Sequence, residues 1–233
     1  PTPRHSPGSL AGVGERGQRD GLAERRGPGV EAQADRDTAA GLIGVLGAIG
    51  HDIGGLADLL EALDIDAARD KPWLFGHSDG GSIALLHAAK FSERTAGAIV
   101  LAPHILVEDL SVASIAKAKT AYETTDLKQR LAKYHDDPDS AFWGWNRIWL
   151  HPPFKQWSIE DEISSIACPL LAVQGLDDEY GTLEQIRGIA RRVPQTELLE
   201  LPQCGHSPHK DRPQAVIEAA ARFIRSNTTG DNT

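Results

Sequence analysis

Apolar residues along the chain recur with two different periods. Short unbroken runs at Trp73–Phe75, Ala98–Ala102 and Pro169–Gln174 have the length of strands buried in a parallel sheet, and Thr196–Leu201 reads as a fourth strand. Between them the spacing becomes helical. Ile53, Leu56, Leu59, Leu60 and Leu63 recur at intervals of three and four, which predicts an amphipathic helix over residues 52–63, with residues 64–71 turning the chain. Ile83 and Leu86 extend the helical spacing through Ser82–Ala89, and further helices are expected at Leu183–Val193 and Asp211–Ile224. Strand, helix and strand from Trp73 to Ala102 occupy about 30 residues, the size of a βαβ unit. The pattern therefore predicts an α/β chain with a mostly parallel sheet.

Between about residues 104 and 166 the strand rhythm stops. Leu127, Leu131 and Tyr134 share one face of a short helix, and Phe142, Trp145, Ile148 and Trp149 share one face of the next. Four tryptophans, Trp143, Trp145, Trp149 and Trp157, fall in this stretch, so it reads as an inserted helical cap. Its aromatic rings either wall a substrate pocket or pack the cap onto the core, and the sequence favours neither.

Residues 1–50 read differently from the rest. Up to residue 40 the β-branched residues are only Thr2, Val13, Val30 and Thr38, and no Phe, Tyr or Trp precedes Trp73, so no strand is predicted there. The Arg, Gly, Pro and Ala content predicts a poorly ordered segment through about residue 38. The glycines at 41, 44, 47 and 50 lack the strand and the Lys-Ser/Thr pair of a phosphate cradle. The last residues, 227–233, are expected to be a polar tail.

Composition narrows the function. At 233 residues and 40% hydrophobic, the chain can bury one sizeable core. A net charge of −9 without a Lys/Arg cluster argues against a nucleic-acid partner. No signal-peptide pattern opens the chain, and the apolar run at residues 39–50 is too short and Gly-rich to span a bilayer, so no membrane partner is expected. Two cysteines, Cys168 and Cys204, read as free thiols in a reducing, cytoplasmic setting.

The candidate chemistry begins at Gly76-His77-Ser78-Asp79-Gly80, set between a predicted strand and a predicted helix. The G-x-S-x-G spacing holds a serine on a tight turn, with Gly76 and Gly80 expected to clear neighbouring backbone, and makes Ser78 the candidate nucleophile. The backbone N–H of Asp79, at the start of the helix, is the candidate oxyanion donor. After the third strand, Gly175-Leu176-Asp177-Asp178-Glu179 places a carboxylate where it can orient a histidine. Asp178 suits that role best by spacing, with Asp177 and Glu179 as neighbours. His206 follows the fourth strand and is the candidate proton carrier, with His209 competing. His104, Glu108 and Asp109 lie beyond the carboxyl end of the second strand, the edge at which ligands of open α/β sheets bind. Candidate substrate contacts are Asp79, His77, His104, Trp145 and Trp149.

The order Ser78, Asp178, His206, with GHSDGG, the GLDD turn and the CGHSPH loop, resembles the α/β-hydrolase fold family over roughly residues 51–226. An aspartate after the serine followed by two glycines is similar to serine esterases of the valacyclovir hydrolase, or biphenyl hydrolase-like, group. The resemblance implies an α/β-hydrolase fold and hydrolysis of carboxylic esters or related acyl substrates through a Ser-His-Asp triad and an acyl-enzyme. It also implies a small-molecule acyl substrate, no cofactor and no metal, with Asp79 receiving a substrate ammonium. Thioesterase, acyltransferase, perhydrolase and carbon–carbon bond hydrolase chemistry are the alternatives, as is a catalytically impaired remnant. The family's early strands and the His-Gly loop that supplies a second oxyanion donor are not legible in residues 1–50. The expectation is an incomplete or altered copy with the front of the sheet missing.

Overall fold

A computed structural model of the protein describes residues 53–228. The readings made for residues 1–50 and for residues 229–233 lie outside the described residues. The chain enters through α1 (Ile53–Ala62), and a single turn of helix, α2 (Ala67–Asp70), interrupts the stretch expected to be only a turn. Four strands then form one sheet in spatial order β1 (Trp73–His77), β2 (Gly97–Leu101), β3 (Leu170–Gly175) and β4 (Thr196–Leu201). Every pairing is parallel. Parallel neighbours need crossovers, and α3 (Asp79–Lys90) makes the first, from β1 to β2.

Side chains alternate along a strand, so each strand feeds two apolar layers. Leu74, Ala98, Val100, Leu170 and Ala172 face Ala84, Leu85 and Ala88 of α3. Ile99, Leu101, Leu171 and Val173 face the other way, toward Val216 and Phe223 near the C-terminus. Covering both faces is what requires unbroken apolar strands rather than alternating ones. Phe75 departs from the expected burial. It is 48% exposed, because β1 is the outermost strand of the sheet among the described residues.

The helical insertion expected to be a cap lies between β2 and β3 and is narrower than expected. Leu106 and Ser158 form an antiparallel bridge, and the Ile159 N–H donates to the Ile105 carbonyl at 2.8 Å, closing a neck where the chain leaves and returns. Ile105, Ile159, Ile163 and Ile166 belong to the apolar layer over the sheet, so the outer parts of the expected 104–166 range are core. Within the cap the longest helix, α4 (Asp109–Thr124), was not singled out by the apolar pattern. Its buried positions include Ser111 and Ser114, whose hydroxyls donate to the Tyr180 and Glu179 carbonyls at 2.6 and 2.5 Å. Hydrogen bonding thus supplements the apolar burial of Ile115 and Tyr122. α5 (Leu127–Leu131) stops short of Tyr134, which is exposed rather than sharing its face. α6 (Pro138–Trp149) starts at Asp137, which accepts from the Ser140 N–H at 3.0 Å, with Pro138 preset for the first turn.

After β3, α7 (Glu184–Arg192) crosses to β4 and buries Ile186 and Ile189 against the sheet. The expected helix from Asp211 to Ile224 is divided. α8 (Pro208–Asp211) ends at Arg212, and α9 (Pro213–Thr228) restarts at a proline. Asn227 and Thr228, assigned to the tail by the sequence, are helical, with Asn227 donating to the Phe223 carbonyl at 2.9 Å. No helix among the described residues is long and apolar enough to cross a membrane.

Candidate active site

Parallel strands all point their carboxyl ends to one rim, and the loops leaving β1, β3 and β4 meet there. At the end of β1 the backbone turns at Ser78 with φ 54° and ψ −125°, a region that side-chain-bearing residues rarely enter. The Ser78 N–H still extends the ladder to the Leu101 carbonyl at 2.9 Å, while its own carbonyl accepts from Gly81 at 2.8 Å and starts α3. A Cβ on Gly76 would stand 2.3 Å from the Gly80 carbonyl oxygen, so the strand and helix approach only because residue 76 has none. The same expectation fails at Gly80, where a Cβ would meet nothing within 4 Å. There the required contact is the Gly80 backbone itself.

The Ser78 Oγ lies 2.9 Å from His206 Nε2. His206 Nδ1 lies 2.9 and 3.1 Å from the two oxygens of Asp178. A carboxylate can only accept, so Nδ1 carries the proton and Nε2 is free to accept from the serine hydroxyl. Asp178 also accepts from Gln174 Nε2 at 3.1 Å and from the backbone N–H of Tyr180 at 2.8 Å. Burial pushes its carboxyl upward, but His206 and the Tyr180 N–H outweigh that and hold it below the usual carboxylate value. Asp178 is therefore ionised near neutral pH.

The neighbours of Asp178 do other things. The Asp177 N–H donates to the Cys204 carbonyl at 3.0 Å. Glu179 accepts from the His206 N–H at 3.2 Å, which holds the histidine loop. His209 packs edge-on to His77 at 4.7 Å.

Asp79 is the first residue of α3, so helix geometry provides its N–H with no intrahelical acceptor. Its side chain is buried. One oxygen has no hydrogen-bond partner and the other is 3.5 Å from the indole Nε1 of Trp149 in the cap. Burial raises the carboxyl to about 6, against the lowering effects of Trp149 and His206.

His104 is buried, stacks edge-on to Trp149 at 4.9 Å and lies 5.7 Å from the His206 ring. Its backbone is clamped by Ser82, whose hydroxyl donates to the His104 carbonyl at 2.6 Å and accepts its N–H at 3.1 Å. Burial depresses its imidazole to about 3, so it is neutral. His77, expected to contact substrate, instead uses Nε2 on the carbonyl oxygen of His206 at 2.6 Å. Trp145 lies in the cap's aromatic cluster, 5.7 Å from Phe142. Trp157 and Phe154, with Ile148, line a cap cavity of about 510 Å³. Glu108 accepts from the Thr182 N–H and hydroxyl, bracing the acid turn, and Asp109 pairs with Lys155.

Several supporting residues were not foreseen. Gln174, Ser82, Ser111, Ser114 and Tyr180, whose ring lies 4.8 Å from His206, belong to no motif, and each acts through groups that other segments bring to it.

A family model described as the alpha/beta hydrolase family matches residues 9–219. The chain is 27% identical over 193 residues to 2-hydroxy-6-oxo-6-phenylhexa-2,4-dienoate hydrolase of Burkholderia cepacia, covering 71% of this chain and 65% of that protein. It is 26% identical over 191 residues to 2-hydroxy-6-oxononadienedioate/2-hydroxy-6-oxononatrienedioate hydrolase of Comamonas testosteroni, with the same shares covered. The chain thus spans 65% of the length of these curated relatives. Among solved structures, a serine hydrolase involved in carbazole degradation matches with a TM-score of 0.61 at 20% identity, over 77% of this chain and 72% of the other. A thermophilic esterase from Thermogutta terrifontis matches with a TM-score of 0.55 at 19% identity, over 76% and 72%. At these identities the structural likeness concerns the fold.

Two outcomes follow from the geometry. Gly76→Ala lowers stability by at least about 1–3 kcal/mol, the range for overpacking, whereas Gly80→Ala does not destabilise. Thermal melts of the two variants check this, and equal losses would contradict it. Asp79 holds its proton more tightly folded than unfolded, so its contribution to stability falls as pH rises through the window from its ordinary 3.8 to about 6 and is level above. Asp79→Asn should therefore gain on the wild type by up to about 3 kcal/mol between pH 4 and pH 7. Urea unfolding at both pH values checks it; a constant difference between the proteins would refute the assignment.

Proposed function

The chain belongs to the alpha/beta hydrolase family, and we propose that within it the protein is a serine hydrolase that cleaves a carboxylic ester or related acyl substrate. The observation that supports this reading is the unbroken hydrogen-bonded run from Ser78 Oγ through the His206 imidazole to Asp178. Ser78 Oγ attacks the substrate carbonyl carbon while His206 Nε2 takes the hydroxyl proton, and the resulting oxyanion faces the Asp79 N–H. Asp178 keeps the Nδ1 proton in place and stabilises the imidazolium. His206 then returns its proton to the leaving alkoxide, leaving an acyl-enzyme. A water attacks that ester, giving its proton to His206, and the carboxylic acid departs as Ser78 is reprotonated. Every step uses groups of the chain and water.

The buried carboxyl of Asp79 shapes the substrate class. A carboxylate beside a developing oxyanion opposes it, and a cationic group on the substrate would offset that charge while pairing with the unpartnered Asp79 oxygen. α-Amino-acid esters carry such a group. A second reading, cleavage of a carbon–carbon bond beside a ketone, is favoured by the names of the two curated relatives. The proposal extends to a reducing, cytoplasmic setting, which the free thiols Cys168 and Cys204 favour.

A fluorophosphonate probe tests the nucleophile. It should label the wild type and not Ser78→Ala; equal labelling, or none in either, would remove the reading. Ester turnover should fall by about 10⁴-fold or more in Ser78→Ala and His206→Ala. p-Nitrophenyl esters, amino-acid esters and a 2-hydroxy-6-oxo-dienoate assayed side by side separate ester from carbon–carbon cleavage. In that panel Asp79→Asn should lose about 10- to 100-fold on amino-acid esters relative to neutral ones, the scale of a hydrogen bond to a charged group. An unchanged ratio would remove the ammonium site.

A further inference from the structure

His77 is the last residue of β1 and is covalently joined to Ser78. Its ring is buried, and Nε2 stands 2.6 Å from the main-chain oxygen of His206. A carbonyl only accepts, so Nε2 carries a proton and donates it, which commits that atom to a contact within the protein. We propose that His77 is a positioning residue for the general base: by clamping the His206 main chain to the strand that carries the nucleophile, it sets the separation of Ser78 Oγ and His206 Nε2. The inference rests on the reading of Ser78 and His206 as nucleophile and base.

The need for such a clamp follows from where His206 sits. It lies between β4 and α8, in a stretch with neither ladder nor helix to fix it. Its other main-chain ties run elsewhere. The His206 N–H goes to Glu179, the Gly205 N–H to Asp211 at 2.8 Å, and the Cys204 carbonyl accepts from Asp177. These hold the loop to the acid turn and to α8, which fixes the histidine relative to Asp178 and leaves its distance to β1 to be set by another contact. The His77 bond spans that gap.

The chemistry of the donor matters as well as its reach. His206 must become an imidazolium during the reaction, and a lysine or arginine clamp would place a permanent positive charge against it. Burial holds the His77 imidazole down to about 4, so it donates while neutral. His77 has two further ring neighbours, His206 at 5.1 Å and His209 at 4.7 Å between centroids, both on the histidine side of the rim.

His77→Phe keeps an aromatic ring and removes the donor, whereas His77→Gln offers an amide N–H of similar reach. Two measurements are made on each: the rate of fluorophosphonate labelling across pH, and the downfield proton resonance of His206 Nδ1, identified by its loss in His206→Ala, which needs no turnover. The phenylalanine variant should label about 10- to 100-fold more slowly, the scale of a small misplacement of reacting groups, with a shifted or broadened Nδ1 resonance. The glutamine variant should recover most of both. Should the phenylalanine variant not fold, His77→Asn, whose amide stops short of the carbonyl, takes its place with the same expectation. Labelling as fast as the wild type with an unmoved resonance would overturn the proposal while leaving the serine hydrolase reading intact. An unlabelled wild type whose resonance still moves on substitution would overturn the serine hydrolase reading and the positioning role with it, leaving only a main-chain contact between His77 and the His206 loop.

Discussion

A serine at the end of a parallel strand can present its oxygen to the sheet rim only if the backbone reverses at that residue. Ser78 does so with φ 54° and ψ −125°, a conformation that costs on the order of 1–3 kcal/mol unless its surroundings impose it. The surroundings here are backbone. Ser78 remains hydrogen-bonded to β2 through Leu101 and immediately caps the first turn of α3 through Gly81, so the strand cannot continue and the helix cannot begin later. Gly76 makes the arrangement possible, since its missing side chain is the space into which the Gly80 carbonyl fits. The positions of the candidate nucleophile Ser78, of the Asp79 N–H and of the proposed His77 clamp all descend from this one turn.

The acid and the histidine depend on that rim differently. Gln174 is fully buried in β3 and donates to Asp178 and to the carbonyls of Gly181 and Thr182, so the acid turn is folded around a side chain of the strand it leaves. The histidine loop is held by its partners rather than by any structure of its own. His77, Glu179 and Asp211 each bind its main chain, and Gly175 is required because a Cβ there would stand 2.0 Å from the Cys204 carbonyl oxygen. Ionised Asp178 and neutral His77 and His104 lie around His206, so the imidazole is hydrogen-bonded to a carboxylate and meets no positively charged ring.

The cap is joined to this centre through polar contacts. α4 lays Ser111 and Ser114 on the backbone of residues 179 and 180, and Glu108 takes two hydrogen bonds from Thr182. α6 delivers Trp149 to the Asp79 carboxyl, where the indole is the one hydrogen-bond donor recorded for that side chain among the described residues. The placement of these helices thus bears on the orientation of Asp178 and on the protonation of Asp79. Trp149 fits the packing reading of the cap aromatics, since it is buried and reaches from Phe154 and Trp157 to Asp79 at the elbow.

Much of the fold was legible because strands and turns are local statements. The runs at Trp73, Ala98 and Pro169 became β1, β2 and β3 within a residue or two, and the elbow, acid turn and histidine loop could be named from residue type and order alone. α4 escaped because two of its four buried positions are serines, which leaves Ile115 and Tyr122 too few to make an apolar stripe, and the cap limits were misjudged because Ile163 and Ile166 look the same whether they pack in a cap or under α3. Phe75 looked like core since nothing in a strand's own residues says whether another strand lies beside it. His77 changed role because its partner, His206, is far along the chain. The sequence by itself determined the chemical groups and the local backbone turns that carry them. Tertiary structure alone decided which carbonyl, carboxylate or ring each group would face, because those distances are set by the packing of whole strands and helices against one another.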